Sequence, residues 1–251
     1  MEAHLLSNER ARMVNAALLP LLAVALLWSV HVLDAVYSWQ LNTWGNIPRT
    51  MAGLPGILLQ PFFHADLEHL LNNSLSLLVL GWCLVYFYPR VAGRVAWITW
   101  VVSGVAVWLT ARPDRHIGAS GVVYGLAFFL FFSGVFRRQR ALMAISLLVV
   151  FLYGGLLWGL LPTLPRISWE SHLWGGLTGA GLAWWYRHIS PAHLPPPPLE
   201  EAVVGAGIAA GVLENDDPGD ETTVEDSSVQ HAPPYYDPEA TDTTWHQEDR
   251  T

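Results

Sequence analysis

The side chains able to do chemistry gather in three short stretches. HADLEHLLNNSL (64–75) carries His64, His69, Asn72 and Asn73, HIGASGVVYGLAF (116–128) carries Ser120 and Tyr124, and SHLWGGLTGAG (171–181) carries His172. A serine hydroxyl is a weak nucleophile until a base removes its proton, and imidazole has the basicity for that task. The oxyanion formed when serine attacks a carbonyl needs aligned donors. Ser120 opens an apolar run, so its own amide lies at the positive end of a helix and is one such donor. The side chains of His69 and Asn73, spaced i, i+4 on one helical face, are others, and Gly118 belongs to the same stabilising group. Tyr124 lies one turn below Ser120, where its ring can stack on the imidazole and hold it. Glu170 is near His172 in sequence but points elsewhere on a helix, so the expected machinery is a Ser–His dyad without a carboxylate.

Each stretch has an ordinary explanation when taken alone. Serines inside apolar helices bond back to the preceding turn. Gly-Ala-Ser-Gly is not the nucleophile elbow of soluble hydrolases, because Val122 stands where that motif needs glycine. His69 with Asn73 can join helices through hydrogen bonds, and glycines spaced by four are usually packing positions. The combined pattern therefore depends on the elements that carry these residues.

Those elements are membrane helices. The 251-residue chain is 52% hydrophobic, with a mean hydropathy of +0.32 and 13 tryptophans, too apolar for an ordinary soluble domain. Six stretches have the length and apolarity of a span: 16–37, 68–88, 91–111, 118–136, 141–161 and 170–188. The first follows a polar leader (1–15) and lacks a small-residue cleavage site, so it reads as a retained span. The expected fold is an all-α polytopic bundle of six helices over 16–188, followed by a disordered tail over 189–251.

There is no lysine, and the charge is divided. Residues 1–188 hold 12 arginines and 7 acids, whereas 189–251 hold one arginine and 14 acids. With six spans, eight arginines of the first part fall on one side and four on the other, which places both termini in the cytoplasm. Spans 2, 4 and 6 then enter from the outer side. His69 with Asn73, Ser120 and His172 all lie near the outer ends of those spans, at one depth. Gly175 and Gly179 follow His172 at i+3 and i+7, a stripe of small residues that lets span 6 approach a neighbour closely. Gly121 and Gly125 give span 4 the matching face, and that contact would bring His172 within hydrogen-bond reach of Ser120.

The remaining segments are less specific. Residues 38–67 are too long for a turn and too rich in Trp, Leu and Pro for a solvated loop, so they are expected to lie partly in the outer leaflet. SPAHLPPPPLEEA (190–202) ends the last helix, and the acidic, Pro/Ser/Thr-rich sequence after it has no periodicity. Cys83 is the single cysteine and reads as a small buried side chain. His116 and His188 read as loop and interface residues.

The constellation closely resembles the rhomboid intramembrane serine proteases over roughly residues 16–188. The match rests on His-x-x-x-Asn in HLLNN, Gly-x-Ser-Gly in GASG followed by VVYG, and His-x-x-Gly-x-x-x-Gly in HLWGGLTG, on spans 2, 4 and 6 in the family's order. The resemblance implies Ser120 as nucleophile, His172 as general base, His69 and Asn73 as oxyanion partners and Tyr124 as the residue packed on the base. His64 matches a histidine often found before the span-2 motif. Many members carry an arginine before span 2 where this chain has Gly56, so the first loop is expected to be held differently. The resemblance also implies membrane-protein substrates with a span that unwinds at its outer end. No cofactor, no metal and no nucleic-acid partner are expected; the partners are the lipid bilayer and the substrates. The expected location is the inner (plasma) membrane of a bacterial cell, with the site facing outward. A catalytically inactive relative that binds membrane clients, or a small transporter, would also bury polar residues. The first would typically lack the serine or histidine, and the second would show a mid-membrane carboxylate. The only acid inside a span away from its ends is Asp34, and it lies near the outer end of span 1 rather than at mid-membrane.

Overall fold

A computed structural model of the chain describes residues 2–138, 140–144, 147, 159–161 and 167–192. The named elements among them are all helical: α1 (Glu2–Tyr37), α2 (Gly56–Leu59), α3 (Leu67–Phe87), α4 (Ala92–Thr110), α5 (Ser120–Phe136) and α6 (Trp169–Trp185), with short 3-10 turns at Leu41–Trp44, Met51–Gly53 and Gln60–Phe62. Five of the six expected spans thus correspond to described helices. α3, α4 and the Glu9–Tyr37 part of α1 are long and apolar enough to cross a membrane. α5 and α6 have 17 residues each, about 25 Å at the helical rise, near the lower limit for a crossing. Most of the expected fifth span, 141–161, and of the expected tail, 189–251, lies outside the described residues. α1 begins at Glu2, so the polar leader continues into the same helix as the first span.

The helices start and pack for identifiable reasons. The Asp66 carboxylate caps α3 by accepting from the His69 N–H at 2.8 Å, and Glu68 adds negative charge to the same positive helix end. α5 is apolar on every side, as a fully surrounded helix should be. Its Leu126, Phe129 and Leu130 are buried with Leu80, Leu84 and Val95 from the neighbouring helices. α1 packs on α3 through Trp28, whose Nε1 donates to Ser74 Oγ at 3.0 Å. Its other side exposes Leu18, Leu19, Leu21 and Leu22, a surface suited to lipid. Cys83 is a free, buried thiol.

Residues 38–66 form a compact loop on α4. Trp100 Nε1 donates to Leu58 O at 3.1 Å, Trp108 Nε1 to Thr50 O at 3.0 Å, and Asn46 Nδ2 to Gly104 O at 2.8 Å. Gly56 stands where the resemblance would put an arginine, and the backbone explains the departure. A Cβ there would lie 2.3 Å from Asn46 N, so the chain is too close for any side chain. Backbone contact at Gly56 and the Asn46 amide hold the loop instead. Trp44, Met51 and Leu58 remain exposed on it.

Candidate active site

α5 and α6 meet backbone to backbone. A Cβ on Gly175 would lie 2.0 Å from Gly121 O, and one on Gly179 would lie 2.0 Å from Gly125 O. The four glycines therefore form two facing pairs, and only glycine allows helices to come this close. The pairing aligns the first turns of both helices. Ser120 is the first residue of α5 and His172 the fourth of α6.

In that alignment His172 Nε2 lies 2.8 Å from Ser120 Oγ. The other ring nitrogen, Nδ1, lies 2.8 Å from the Gly159 carbonyl oxygen. A carbonyl only accepts, so in the neutral ring Nδ1 carries the hydrogen and Nε2 presents its lone pair to the serine hydroxyl. This is the tautomer a general base requires. Tyr124 stacks flat on the imidazole, with ring centroids 4.1 Å apart and planes 8° from parallel. His172 and Tyr124 are buried, while Ser120 is half-buried and remains reachable.

His69 and Asn73 converge on Gly118, two residues before Ser120. Gly118 has φ +106°, and a Cβ on it would lie 2.6 Å from His69 Nε2 and 3.7 Å from Asn73 Nδ2. Its N–H is fixed by Gln60 O at 2.8 Å. Asn73 Nδ2 donates one hydrogen to His69 O at 3.0 Å, which leaves the second hydrogen of that amide for another acceptor. Gly118→Ala should meet both a strained φ, at about 1–3 kcal/mol, and the imidazole of His69. Loss of function at least as large as that of His69→Ala is expected, measured as labelling of Ser120 by a fluorophosphonate.

Glu170 is directed away from His172. Its Oε1 accepts the Arg112 N–H at 3.3 Å and lies 3.8 Å from Arg112 Nε. Asp34 accepts the Leu41 N–H at 3.0 Å, a local cap at the end of α1. His64 is buried with its ring 5.0 Å from that of His69, edge to face. His188 is exposed in the turn after α6. His116 lies in the loop between α4 and α5, as expected, but is 1% exposed and hydrogen-bonded on both ring nitrogens. Loop position in sequence does not indicate burial when the loop is packed between two helix ends. Sequence reasoning also missed the Gly159 carbonyl, because a main-chain oxygen leaves no mark in residue type.

The rhomboid-domain family model matches residues 52–189. The chain belongs to the rhomboid family. An uncharacterized protein of Mycobacterium tuberculosis is 35% identical to it over 192 residues, covering 71% of this chain and 78% of the relative. An uncharacterized protein of Mycobacterium leprae is also 35% identical over 192 residues, covering 71% and 74%. A protein of Acanthamoeba polyphaga mimivirus, named as a rhomboid protein, is 29% identical over 142 residues, covering 53% and 76%. Rhomboid membership and the apolar helices make this an integral membrane protein with bacterial relatives.

Proposed function

We propose that this rhomboid protein is an intramembrane serine endopeptidase in which Ser120 is the nucleophile and His172 the general base. One observation carries the proposal: the 2.8 Å contact from His172 Nε2 to Ser120 Oγ, in a ring whose tautomer is set at Nδ1 by Gly159 O. Ser120 Oγ attacks the scissile carbonyl as its proton passes to Nε2. The tetrahedral oxyanion is received by the Ser120 amide with the side chains of His69 and Asn73. The imidazolium then gives its proton to the leaving amine, and an acyl-enzyme remains on Ser120. Water, deprotonated by the same nitrogen, hydrolyses that ester and restores the serine. Tyr124 limits the ring's freedom through these proton transfers, and no cofactor takes part. A fluorophosphonate probe tests the site directly: it should label wild-type protein at Ser120, and an unmodified Ser120 under conditions that label other serine hydrolases would defeat the reading.

Asn73→Ala should reduce turnover about 10²-fold with little change in apparent affinity, as expected for a donor used mainly in the transition state. His69→Ala should act in the same direction. Wild-type rates in both variants would make these residues helix-joining groups and place the oxyanion elsewhere. Substrates in this proposal are membrane proteins with a span that opens near its end, because a formed helix hides its carbonyls in backbone hydrogen bonds.

In this reading the site lies in the outer half of a bacterial inner membrane, with the termini cytoplasmic. The arginine distribution supports this orientation, and the position of Ser120 and His172 within the first turns of their helices supports a depth near one membrane face. A cysteine introduced at Ala65, in the exposed turn before α3, should react with an impermeant thiol reagent added to intact cells. Reaction only after the cytoplasmic side is opened would reverse the topology.

A further inference from the structure

A second polar cluster lies at the same end of the bundle and has no part in the chemistry described above. Its centre is His116, in the loop between α4 and α5. The backbone of His116 exchanges two hydrogen bonds with Asn46, each 2.9 Å. Its Nε2 lies 3.2 Å from Arg112 O and its Nδ1 lies 2.6 Å from Ser168 Oγ. Ser168 Oγ is in turn 2.7 Å from Ser171 Oγ.

The carbonyl gives this chain of bonds a direction. Arg112 O only accepts, so in the neutral ring Nε2 carries the hydrogen and Nδ1 accepts from the Ser168 hydroxyl. Having donated there, the Ser168 oxygen accepts from the Ser171 hydroxyl. Burial lowers the pKa of His116 below the ordinary histidine value, with the Arg112 charge adding to it. The hydrogen bond to Arg112 O and the charges of Glu170 and Asp114 oppose it without reversing it. The ring is therefore neutral at neutral pH, and Nδ1 has its lone pair available.

Ser168 occupies the N-cap of α6, where a serine hydroxyl normally accepts an N–H of its own helix. Here it makes no cap bond, because the hydroxyl is turned to His116. The Ser168 carbonyl meanwhile accepts the His172 N–H at 3.3 Å. Ser171 borders the same contact: its carbonyl oxygen lies 3.2 Å and its Cβ 3.5 Å from where a Cβ on Gly121 would stand. Beside this chain, Arg112 Nη2 donates to Ile167 O at 2.8 Å, and Glu170 receives the Arg112 backbone N–H. The loop that leads into Ser120 is thus tied, side chain to side chain, to the turn that leads into His172.

We propose that His116 is a positioning residue for peptide hydrolysis. Through the Ser168–Ser171 hydroxyls it sets the first turn of α6 and so the approach of His172 Nε2 to Ser120 Oγ. This rests on the reading of Ser120 and His172 as the reacting pair. The glycine pairs fix how close α5 and α6 lie. The His116 chain ties the first turn of α6 to the loop before α5, a contact that the glycine pairs, which join one helix to the other, do not make.

The test uses the full chain in detergent with a transmembrane substrate. It compares wild type, Ser120→Ala, His116→Ala, His116→Asn, Ser168→Ala and the His116→Ala/Ser168→Ala double variant. Rates are counted per active site by the end-point of fluorophosphonate labelling. His116→Ala and Ser168→Ala should each lower kcat on the order of tenfold with KM unchanged, as a small misplacement of a base does. The double variant should lose no more than either single one, because one chain is broken in each case. His116→Asn places an amide oxygen near the Nδ1 position and should recover most of the loss. A purely structural role would reduce the number of labelled sites while each surviving site kept the wild-type kcat, and that result overturns the proposal. So would additive losses in the double variant. If His116→Ala fails to insert, a wild-type kcat in Ser168→Ala overturns it equally. Cleavage by Ser120→Ala at the wild-type rate would instead defeat the assignment of the reacting pair and take this inference with it. A dead Ser120→Ala beside unaffected His116 and Ser168 variants would defeat the inference alone.

Discussion

Ser120→Ala and His172→Ala are each expected to abolish cleavage of a transmembrane substrate, by about 10⁴-fold or more, while the protein still inserts and folds. In the proposed mechanism the two side chains, 2.8 Å apart, act as one device, since neither the hydroxyl nor the imidazole moves the proton alone. The double variant should therefore be no worse than either single variant. Ser120→Ala removes one half-buried hydroxyl and should change thermal unfolding in detergent little, whereas His172→Ala opens a cavity against Tyr124 and should lower the unfolding temperature without preventing insertion. Turnover by purified protein, with mass spectrometry of the products, is the measurement. Full activity in either variant would end the assignment.

The second large effect concerns stability. Gly175→Ala and Gly179→Ala each insert a methyl group 2.0 Å from a main-chain oxygen of α5. A backbone atom cannot turn aside as a side chain can, so the helices must separate. Overpacking of this kind costs about 1–3 kcal/mol or more. Separation also draws His172 from Ser120, and a displacement of about 1 Å can cost 10²-fold in rate. Both variants should melt well below wild type and cleave poorly. Gly181→Ala is the internal control. It lies in the same helix with nothing within 4 Å of the added Cβ, and alanine is the better helix former by about 0.5–1 kcal/mol. It should melt at or above the wild-type temperature. Equal behaviour of all three variants would mean that the glycine face does not hold α5 and α6 together.

What could be read from the sequence follows from what leaves a trace in residue type. Ser120, His172 and Tyr124 are rare polar residues in apolar runs, and helical spacing with arginine bias places them at one end. The structure brings these three into contact. Gly121, Gly125, Gly175 and Gly179 could be read because a small-residue stripe has few other uses in a membrane helix. Glu170 could be set aside because three-dimensional direction follows from helical geometry. Residues 38–66 resisted, since their path is set by close backbone contact at Gly56 and by indole bonds to carbonyls from Trp100 and Trp108. None of these has a periodic signature. The burial of His116 within its loop could not be read for a related reason: it depends on Ser168 and Asn46, which are remote in sequence and become its neighbours only after α4, α5 and α6 assemble.

In the proposed mechanism the Gly159 carbonyl, 2.8 Å from His172 Nδ1, takes the place that an aspartate fills in a three-residue catalytic set. Every amino acid brings the same oxygen to the chain, so no codon change at 159 can delete the atom that orients the base. A saturation screen for lost cleavage would thus reveal the nucleophile, the base and the groups expected to hold the oxyanion but no partner for Nδ1, and a count of sensitive codons would understate the machinery by one member. Atomic substitution in the main chain, an ester for the peptide bond that follows Gly159, would weaken that oxygen as an acceptor and expose a component hidden from conventional genetics.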